Sequence, residues 1–201
     1  MRIGLPVNSR EALILREAAL PTGVPDLIAV EPHRYRPAYS MRRRRLRLPH
    51  LQMLHFLNDS GPTTREEIER LLNQRPGETA LVLNDLESAG LVSRRRNLIV
   101  AESLSKVFVA RRIVAVEAKM RAWREALEQA TANLWFASHS YILVPALKCL
   151  QVICLEARSL GVGVLVFDGK ETRTVVRPRK HAIPASYGSW LINEWALQQL
   201  K

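Results

Sequence analysis

The sequence predicts an α/β fold in which a mixed β-sheet flanked by helices is interrupted by a smaller, mostly helical module. Two short apolar runs rich in β-branched residues, 24–30 and 113–119, each carry charge at one end only, which is typical of buried strands. After residue 121, an amphipathic helix is followed by further strand and helix patterns. Between the two runs, residues 48–101 show three short helical patterns and two β-like runs. These observations predict a sheet-based core with an inserted domain.

The first predicted element is a helix near the start of the chain. Asn8 or Ser9 can cap its N-terminus, and the helical pattern continues until Pro21 stops it. The run 24–30 then forms a strand, with Asp26 at its beginning.

The segment that follows this strand is strongly basic and rich in proline. It contains the consecutive arginines Arg42, Arg43, Arg44 and Arg45. Proline and like charges at this density predict a loop or a solvated tether. Tyr35 and Tyr39 interleave with arginines, and arginine pairs with phosphates while aromatic rings stack on bases. We therefore expect some of these arginines to contact a nucleic-acid backbone.

Residues 46–104 form the inserted module. Three successive helices lead through Leu91 into a hairpin with an arginine-rich tip, a series similar to a winged helix-turn-helix domain. That resemblance implies DNA binding through the third helix and the hairpin. The third helix carries Glu78, Asp85 and Glu87 and no lysine or arginine, so a protein-contact or dimerisation role is the alternative. The expected phosphate contacts are Arg75, Arg94, Arg95 and Arg96.

The strand predicted over 113–119 carries two of the main candidate site residues. If it pairs with the run 24–30, Asp26, Glu117 and Lys119 converge at one sheet edge, because side chains alternate along a strand. Two carboxylates beside a lysine suit a hard divalent cation and an attacking water. The alternative is an ion pair between Glu117 and Lys119 that ends an ordinary strand.

The Pro25-Asp26 pair, followed by Glu117-Ala118-Lys119 on an apolar strand and then by an amphipathic helix, resembles the PD-(D/E)XK nuclease superfamily with its restriction-endonuclease-like core. The resemblance implies a discontinuous core, residues 1–45 and 105–201, with the winged-helix domain of residues 46–104 inserted in a hairpin. It implies Mg²⁺ or Mn²⁺ held by Asp26, Glu117 and the main-chain carbonyl of Ala118, with Lys119 as a catalytic residue. The implied activity is that of a metal-dependent DNA endonuclease.

Two further site residues follow only from this resemblance. In the family, the helix before the Asp strand often supplies another carboxylate, for which Glu17 is the candidate, with a solvated helix charge as the alternative. In some branches the helix after the Glu-x-Lys strand lends a glutamine, for which Gln129 is the candidate. Such nucleases also place a strand between the first helix and the Asp strand. Either residues 1–6 take that role or the core is abbreviated.

The rest of the chain continues the α/β alternation, with strands predicted over 141–144, 161–167 and 172–176 and a helix over 147–160. Gly161 and Gly163 lack the third glycine and the Lys-Ser/Thr of a phosphate loop, so no nucleotide cofactor is expected.

Composition points to a polyanionic partner. The 201 residues contain 30 Lys+Arg against 19 Asp+Glu, a formal net charge of +11, which favours DNA. Cutting both strands of a duplex usually needs two sites, which suggests a homodimer.

Two cysteines in an apolar stretch and the lack of a membrane-spanning run predict a cytoplasmic protein without a membrane partner. The alternative function is a non-catalytic DNA-binding transcriptional regulator on a nuclease-like scaffold.

Overall fold

The computed structural model describes residues 6–7, 11–34 and 40–200. In chain order the elements are β1 (Leu13–Arg16), β2 (Leu27–Pro32), a 3-10 helix (Met41–Arg45), α1 (Leu48–Ser60), β3 (Thr63–Thr64), α2 (Arg65–Leu71), α3 (Pro76–Ser88), β4 (Val92–Arg95), β5 (Leu98–Ala101), α4 (Leu104–Val107), β6 (Ala110–Ala118), α5 (Trp123–Ala132), a 3-10 helix (Asn133–Trp135), β7 (His139–Pro145), α6 (Leu150–Leu160), β8 (Gly163–Phe167), β9 (Thr172–Val176) and α7 (Tyr187–Gln199). Among these residues, none of the helices combines the length and the apolar character needed to cross a bilayer.

The chain divides into two compact units, Met1–His33 with Ala110–Ala185 and Arg34–Val109 with Ser186–Lys201. The first unit is built on a six-stranded mixed sheet of order β1-β2-β6-β7-β8-β9. Strands β1, β2 and β6 pair antiparallel, β6, β7 and β8 run parallel, and β9 returns antiparallel to β8. The centre of β6 is buried from Ile113 to Glu117, which explains its continuous apolar sequence.

Helices α5 and α6 pack on one face of this sheet. The amphipathic α5 buries Trp123, Ala126, Leu127 and Ala130 along one side. Helix α6 ends at Gly161, whose φ of +75° is the left-handed conformation that glycine adopts readily at a helix C-terminus. Because side chains alternate along each strand, the other face carries a separate apolar cluster, which includes Val114, Val116 and Tyr141.

The segment 11–20 corrects the expected N-terminal helix, because it contains strand β1 instead. Leu13 and Leu15 are half-buried while Ile14 and Arg16 are exposed, and the register pairs Leu13 with Val30 on β2. Four residues of alternation are too short to stand out in the sequence, since apolar neighbours also fit a helical face. The proposed caps Asn8 and Ser9, and residues 1–5 of the candidate strand, lie outside the described residues.

The second unit combines helices α1, α2 and α3 with a three-stranded sheet of order β3-β5-β4. Helix α2 begins with a capping box: Thr64 Oγ1 accepts a hydrogen bond from the Glu67 backbone N–H at 3.3 Å, and Glu67 Oε2 accepts one from the Thr64 N–H at 3.1 Å.

The second unit also includes α7, which the sequence had assigned to the sheet core within residues 105–201. Its contacts in this unit include a buried hydrogen bond, in which Oδ1 of Asn193 accepts from the Val109 backbone N–H at 2.7 Å, and an edge-to-face contact of Trp190 with Phe108. The first segment of this unit, Arg34–Val109, contains the expected module of residues 46–104.

Candidate functional site

Asp26 and Glu117 lie at neighbouring ends of β2 and β6. The antiparallel register sets Leu27 opposite Val116, so the residue before β2 comes beside the next residue on β6. Oδ2 of Asp26 accepts a hydrogen bond from the backbone N–H of Ala118 at 2.7 Å. Pairing of the two apolar runs therefore brings the two carboxylates together from distant parts of the chain.

Glu117 is a buried carboxylate, only 3% exposed. Its Oε1 accepts a hydrogen bond from Nδ2 of Asn133 at 2.7 Å. Burial raises the pKa of Glu117, and the neighbouring charge of Asp26 raises it further, against the opposing effects of Asn133, the Asp26 backbone and Lys119. The ionised form of Glu117 therefore has a net energetic cost, which a bound cation would relieve.

Lys119 follows at the end of β6, on the same side as Glu117 by strand alternation. Its side chain is 30% exposed, and Nζ lies 3.4 Å from Oε1 of Glu125 on α5. Its backbone N–H donates to the carbonyl of Leu143 at 3.1 Å, which extends the pairing of β6 with β7. The backbone of Lys119 is therefore fixed against β7, while its ammonium group lies near Glu125 and is partly open to solvent.

Glu17 and Gln129 both lie near the carboxylate pair but form no described side-chain hydrogen bond with Asp26 or Glu117. Glu17 lies in the exposed turn after β1 with a φ of +48°, and its backbone N–H donates to the carbonyl of Asp26 at 3.5 Å. Within the described ranges, no three His, Cys, Asp or Glu side chains form a group that could hold a metal ion. Gln129 is exposed and its Nε2 donates to Oε1 of Glu125 at 3.4 Å.

Asn133 is the site residue that the sequence analysis missed. It is 6% exposed and begins the 3-10 helix after α5. Its position continues the buried side of α5, three residues beyond Ala130, whereas Gln129 is on the exposed side. The sequence signal for Asn133 was an amide side chain on the apolar side of the helix that follows the strand of Glu117.

Asp26, Glu117 and the main-chain carbonyl of Ala118 could hold a divalent cation. All three are oxygen donors, and Mg²⁺ is often bound through one or two carboxylates while it keeps several waters. Asp26 is exposed beside the buried Glu117, which gives solvent access to the pair. Comparison of the chain with protein-family models, with curated proteins and with solved structures found no match. The assignment of a function therefore rests on the residues themselves.

The arginines of residues 42–45 form a 3-10 helix rather than a loop. Arg43 is 3% exposed and forms an ion pair with Glu194 of α7, in which Nε donates to Oε2 at 2.9 Å. Its Nη2 also donates to the Val107 carbonyl at 2.9 Å. This corrects the expectation that Arg43 contacts nucleic acid, because its guanidinium is used inside the second unit. Arg42, Arg44 and Arg45 are exposed, and Tyr35 and Tyr39 lie outside the described residues.

The hairpin of β4 and β5 carries Arg94, Arg95 and Arg96. Arg94 faces α3, where Nη2 donates to Oδ1 of Asn84 at 2.6 Å and Nε lies 3.1 Å from Oε2 of Glu87. Arg95 and Arg96 are exposed at the tip, and Arg75 is exposed just before α3. The charge of Arg94 is therefore partly compensated within the unit, while the tip remains accessible.

Proposed function

We propose that this protein is a metal-dependent DNA endonuclease with a restriction-endonuclease-like core. The observation that carries the proposal is the pairing of β2 with β6, which sets Asp26 against Ala118 beside the buried Glu117, with Lys119 two positions further. The order of three antiparallel strands, then α5, then the parallel strand β7 supports the same reading. In it, β1 takes the role of the strand before the Asp strand.

Asp26, Glu117 and the carbonyl of Ala118 are the proposed ligands of Mg²⁺ or Mn²⁺. When bound, the ion supplies a polarised water and neutralises the negative charge that develops at the phosphorus. Asn133 orients Oε1 of Glu117 through its hydrogen bond before any ligand arrives. Because the pKa of Glu117 is raised, protons compete with the cation for this carboxylate.

Lys119 is the proposed catalytic cation. Its ammonium would donate hydrogen bonds to the attacking water or to a non-bridging phosphate oxygen, which stabilises the charge of the transition state. The present partner is the exposed carboxylate of Glu125, 3.4 Å from Nζ. When DNA binds, a phosphate would replace Glu125 as the partner of Lys119, so the lysine would remain paired with an anion.

The second unit is proposed to be a winged-helix module that binds DNA. The three helices, the β3-β5-β4 sheet and the exposed Arg95 and Arg96 support this assignment. The exposed side of α3 carries Glu78, Leu81 and Asp85, so the phosphate contacts come from the hairpin rather than from α3. A homodimer would bring two such sites to one duplex.

Incubation of purified protein with supercoiled plasmid tests the proposal. Nicked and linear DNA should form with Mg²⁺ or Mn²⁺ and not with chelator. Lys119→Ala should abolish cutting while the protein still retards DNA in a gel. Lys148→Ala is the matched control, since it removes an exposed lysine of the same unit. DNA retention without cutting at any metal concentration would instead support the non-catalytic regulator.

A further inference from the structure

A basic cavity lies on the opposite face of the six-stranded sheet from Glu117. It has a volume of about 380 Å³, and its polar lining is Arg112, His139, Tyr141, Thr174 and Arg177. Arg112 and Glu117 both lie on β6, five residues apart, so their side chains point to opposite faces about 17 Å apart along the strand. The cavity is therefore separate from the carboxylate pair.

Arg112 is fixed in the wall of this cavity by several partners. Its Nη1 donates to the Pro6 carbonyl at 2.8 Å and lies 3.4 Å from Oε1 of Glu31. Its Nε donates to Nδ1 of His139 at 3.3 Å. A guanidinium held in place in this way binds an oxyanion with little further loss of conformational entropy.

His139 offers the cavity a neutral donor. Burial, followed by the charges of Arg112 and Lys180, lowers the pKa of His139 to about 4, so the ring is neutral at pH 7. The Nε of Arg112 can only donate, so Nδ1 of His139 accepts and the ring proton is assigned to Nε2. Ser138 Oγ lies 2.9 Å from the same Nδ1, and its hydroxyl donates to the Ile113 carbonyl at 2.8 Å.

Positive charge exceeds negative charge at the cavity. Arg112, Arg177 and Lys180 stand against the carboxylate of Glu31, which is 5% exposed and already lies 2.6 Å from Nη2 of Arg111. Arg177 is exposed, and its side chain has no hydrogen bond or ion pair with the side chains that line the cavity in the described part of the chain. An exposed arginine and an anchored one in the lining of one cavity are suited to binding a multiply charged anion.

We propose that this cavity binds a phosphate group, either the terminal phosphate of a nucleic-acid strand or free inorganic phosphate. Arg112 and Arg177 supply charge-assisted hydrogen bonds, and Thr174, Tyr141 and Nε2 of His139 supply neutral donors. The proposal is independent of catalysis at Asp26 and Glu117, because the two sites share no residue.

Binding by the full chain in EDTA tests this. The probes are inorganic phosphate, measured by calorimetry, and one labelled oligonucleotide sequence with a 5′-phosphate, a 3′-phosphate or hydroxyl ends, measured by anisotropy. Arg177→Gln should weaken phosphate binding about tenfold, because a hydrogen bond to a charged group is lost. Arg173→Gln is the control, since it removes the same charge from an exposed β9 residue that does not line the cavity.

Each outcome bears on the proposal. Tighter binding of an end-phosphorylated oligonucleotide than of the hydroxyl form, lost in Arg177→Gln, supports a terminal phosphate. Equal binding of the oligonucleotides, with inorganic phosphate binding that Arg177→Gln removes, supports the free ion. Equal binding of the three oligonucleotides together with no binding of inorganic phosphate, or equal losses in Arg173→Gln and Arg177→Gln, overturns the proposal. Without divalent metal, none of these results depends on DNA cleavage.

Discussion

Asn133 donates a hydrogen bond of 2.7 Å from Nδ2 to Oε1 of Glu117. The bond joins the turn after α5 to the end of β6. An amide orients the buried carboxylate without cancelling its charge, so the charge remains available to a cation. In the proposed site this bond therefore prepares Glu117 for metal binding.

Replacing Asn133 with alanine is expected to weaken Mn²⁺ binding about 10- to 100-fold, the usual range for partners of metal ligands. Oε1 of Glu117 loses its donor, which raises the pKa of the carboxyl and favours the proton over the cation. Isothermal titration at pH 7 measures the change. Gln129→Ala is the control, because Gln129 is exposed and bonded to Glu125. Equal affinities for wild type and Asn133→Ala would contradict the role of Asn133.

Replacing Glu117 with glutamine is expected to stabilise the metal-free protein at pH 7. The pKa of Glu117 is raised in the folded state, so the folded protein keeps a proton that the unfolded chain has lost. Stability therefore falls as pH rises from the unfolded pKa through the folded pKa, and the cost persists above it. Glutamine carries no charge and still offers an oxygen to Asn133.

The expected gain is roughly 1 kcal/mol, about 2–4 °C in melting temperature for a chain of this length. Melting in EDTA at pH 7 measures it, and the gain should shrink as pH falls to about 4. Glu128→Gln, an exposed position on α5, should change little. A Glu117→Gln protein that melts below wild type at pH 7 would argue that the ionised carboxylate stabilises the fold.

The sequence predicted the strands that carry the candidate site but not the first strand. The runs at β2 and β6 are short, apolar and rich in β-branched residues, which favours buried strands. In β1 the alternation of Leu13 and Ile14 is too short to separate from a helical pattern. The place of α7 depends on contacts of Asn193 and Glu194 with residues far away in the chain, which no local pattern encodes.

The sequence predicted the candidate site residues whose positions depend on strand pairing. It missed the residue whose position depends on side-chain packing. Asp26 and Glu117 follow from two strands and a register. Asn133 depends on which side of α5 is buried and how far the next turn reaches, and Gln129 was chosen by residue type alone. Arg43 was grouped with its exposed neighbours because its partner Glu194 is 151 positions away.

Replacing Arg43 with alanine is expected to destabilise the protein by about 3–5 kcal/mol, because it leaves the buried carboxylate of Glu194 without its counter-charge. Thermal or urea unfolding measures the loss. Arg44→Ala, which removes an exposed charge from the same 3-10 helix, should leave stability within about 0.5 kcal/mol. Similar stability of both variants would show that the ion pair does not hold the second unit together.

Replacing Arg95 with glutamine is expected to weaken DNA binding and to lower the slope of log K against log salt by about one. Arg95 is exposed at the hairpin, whereas Arg94 is engaged with Glu87 and Asn84. Arg94→Gln should therefore lower the slope less. Anisotropy with labelled duplex DNA between about 50 and 200 mM salt measures both. Unchanged slopes in both variants would remove the hairpin from the DNA contact.

The most direct test of the cation site formed by Asp26 and Glu117 is a calorimetric titration of the full chain with Mn²⁺ at pH 7.5. One Mn²⁺ site per chain is expected in the wild type, lost in Asp26→Asn and in Glu117→Gln and kept in Lys119→Ala. Asparagine preserves an oxygen for the Ala118 N–H, so loss of binding would report the charge and not a broken strand. A wild type that binds no Mn²⁺, or an Asp26→Asn protein that binds it as tightly as wild type, would contradict the account.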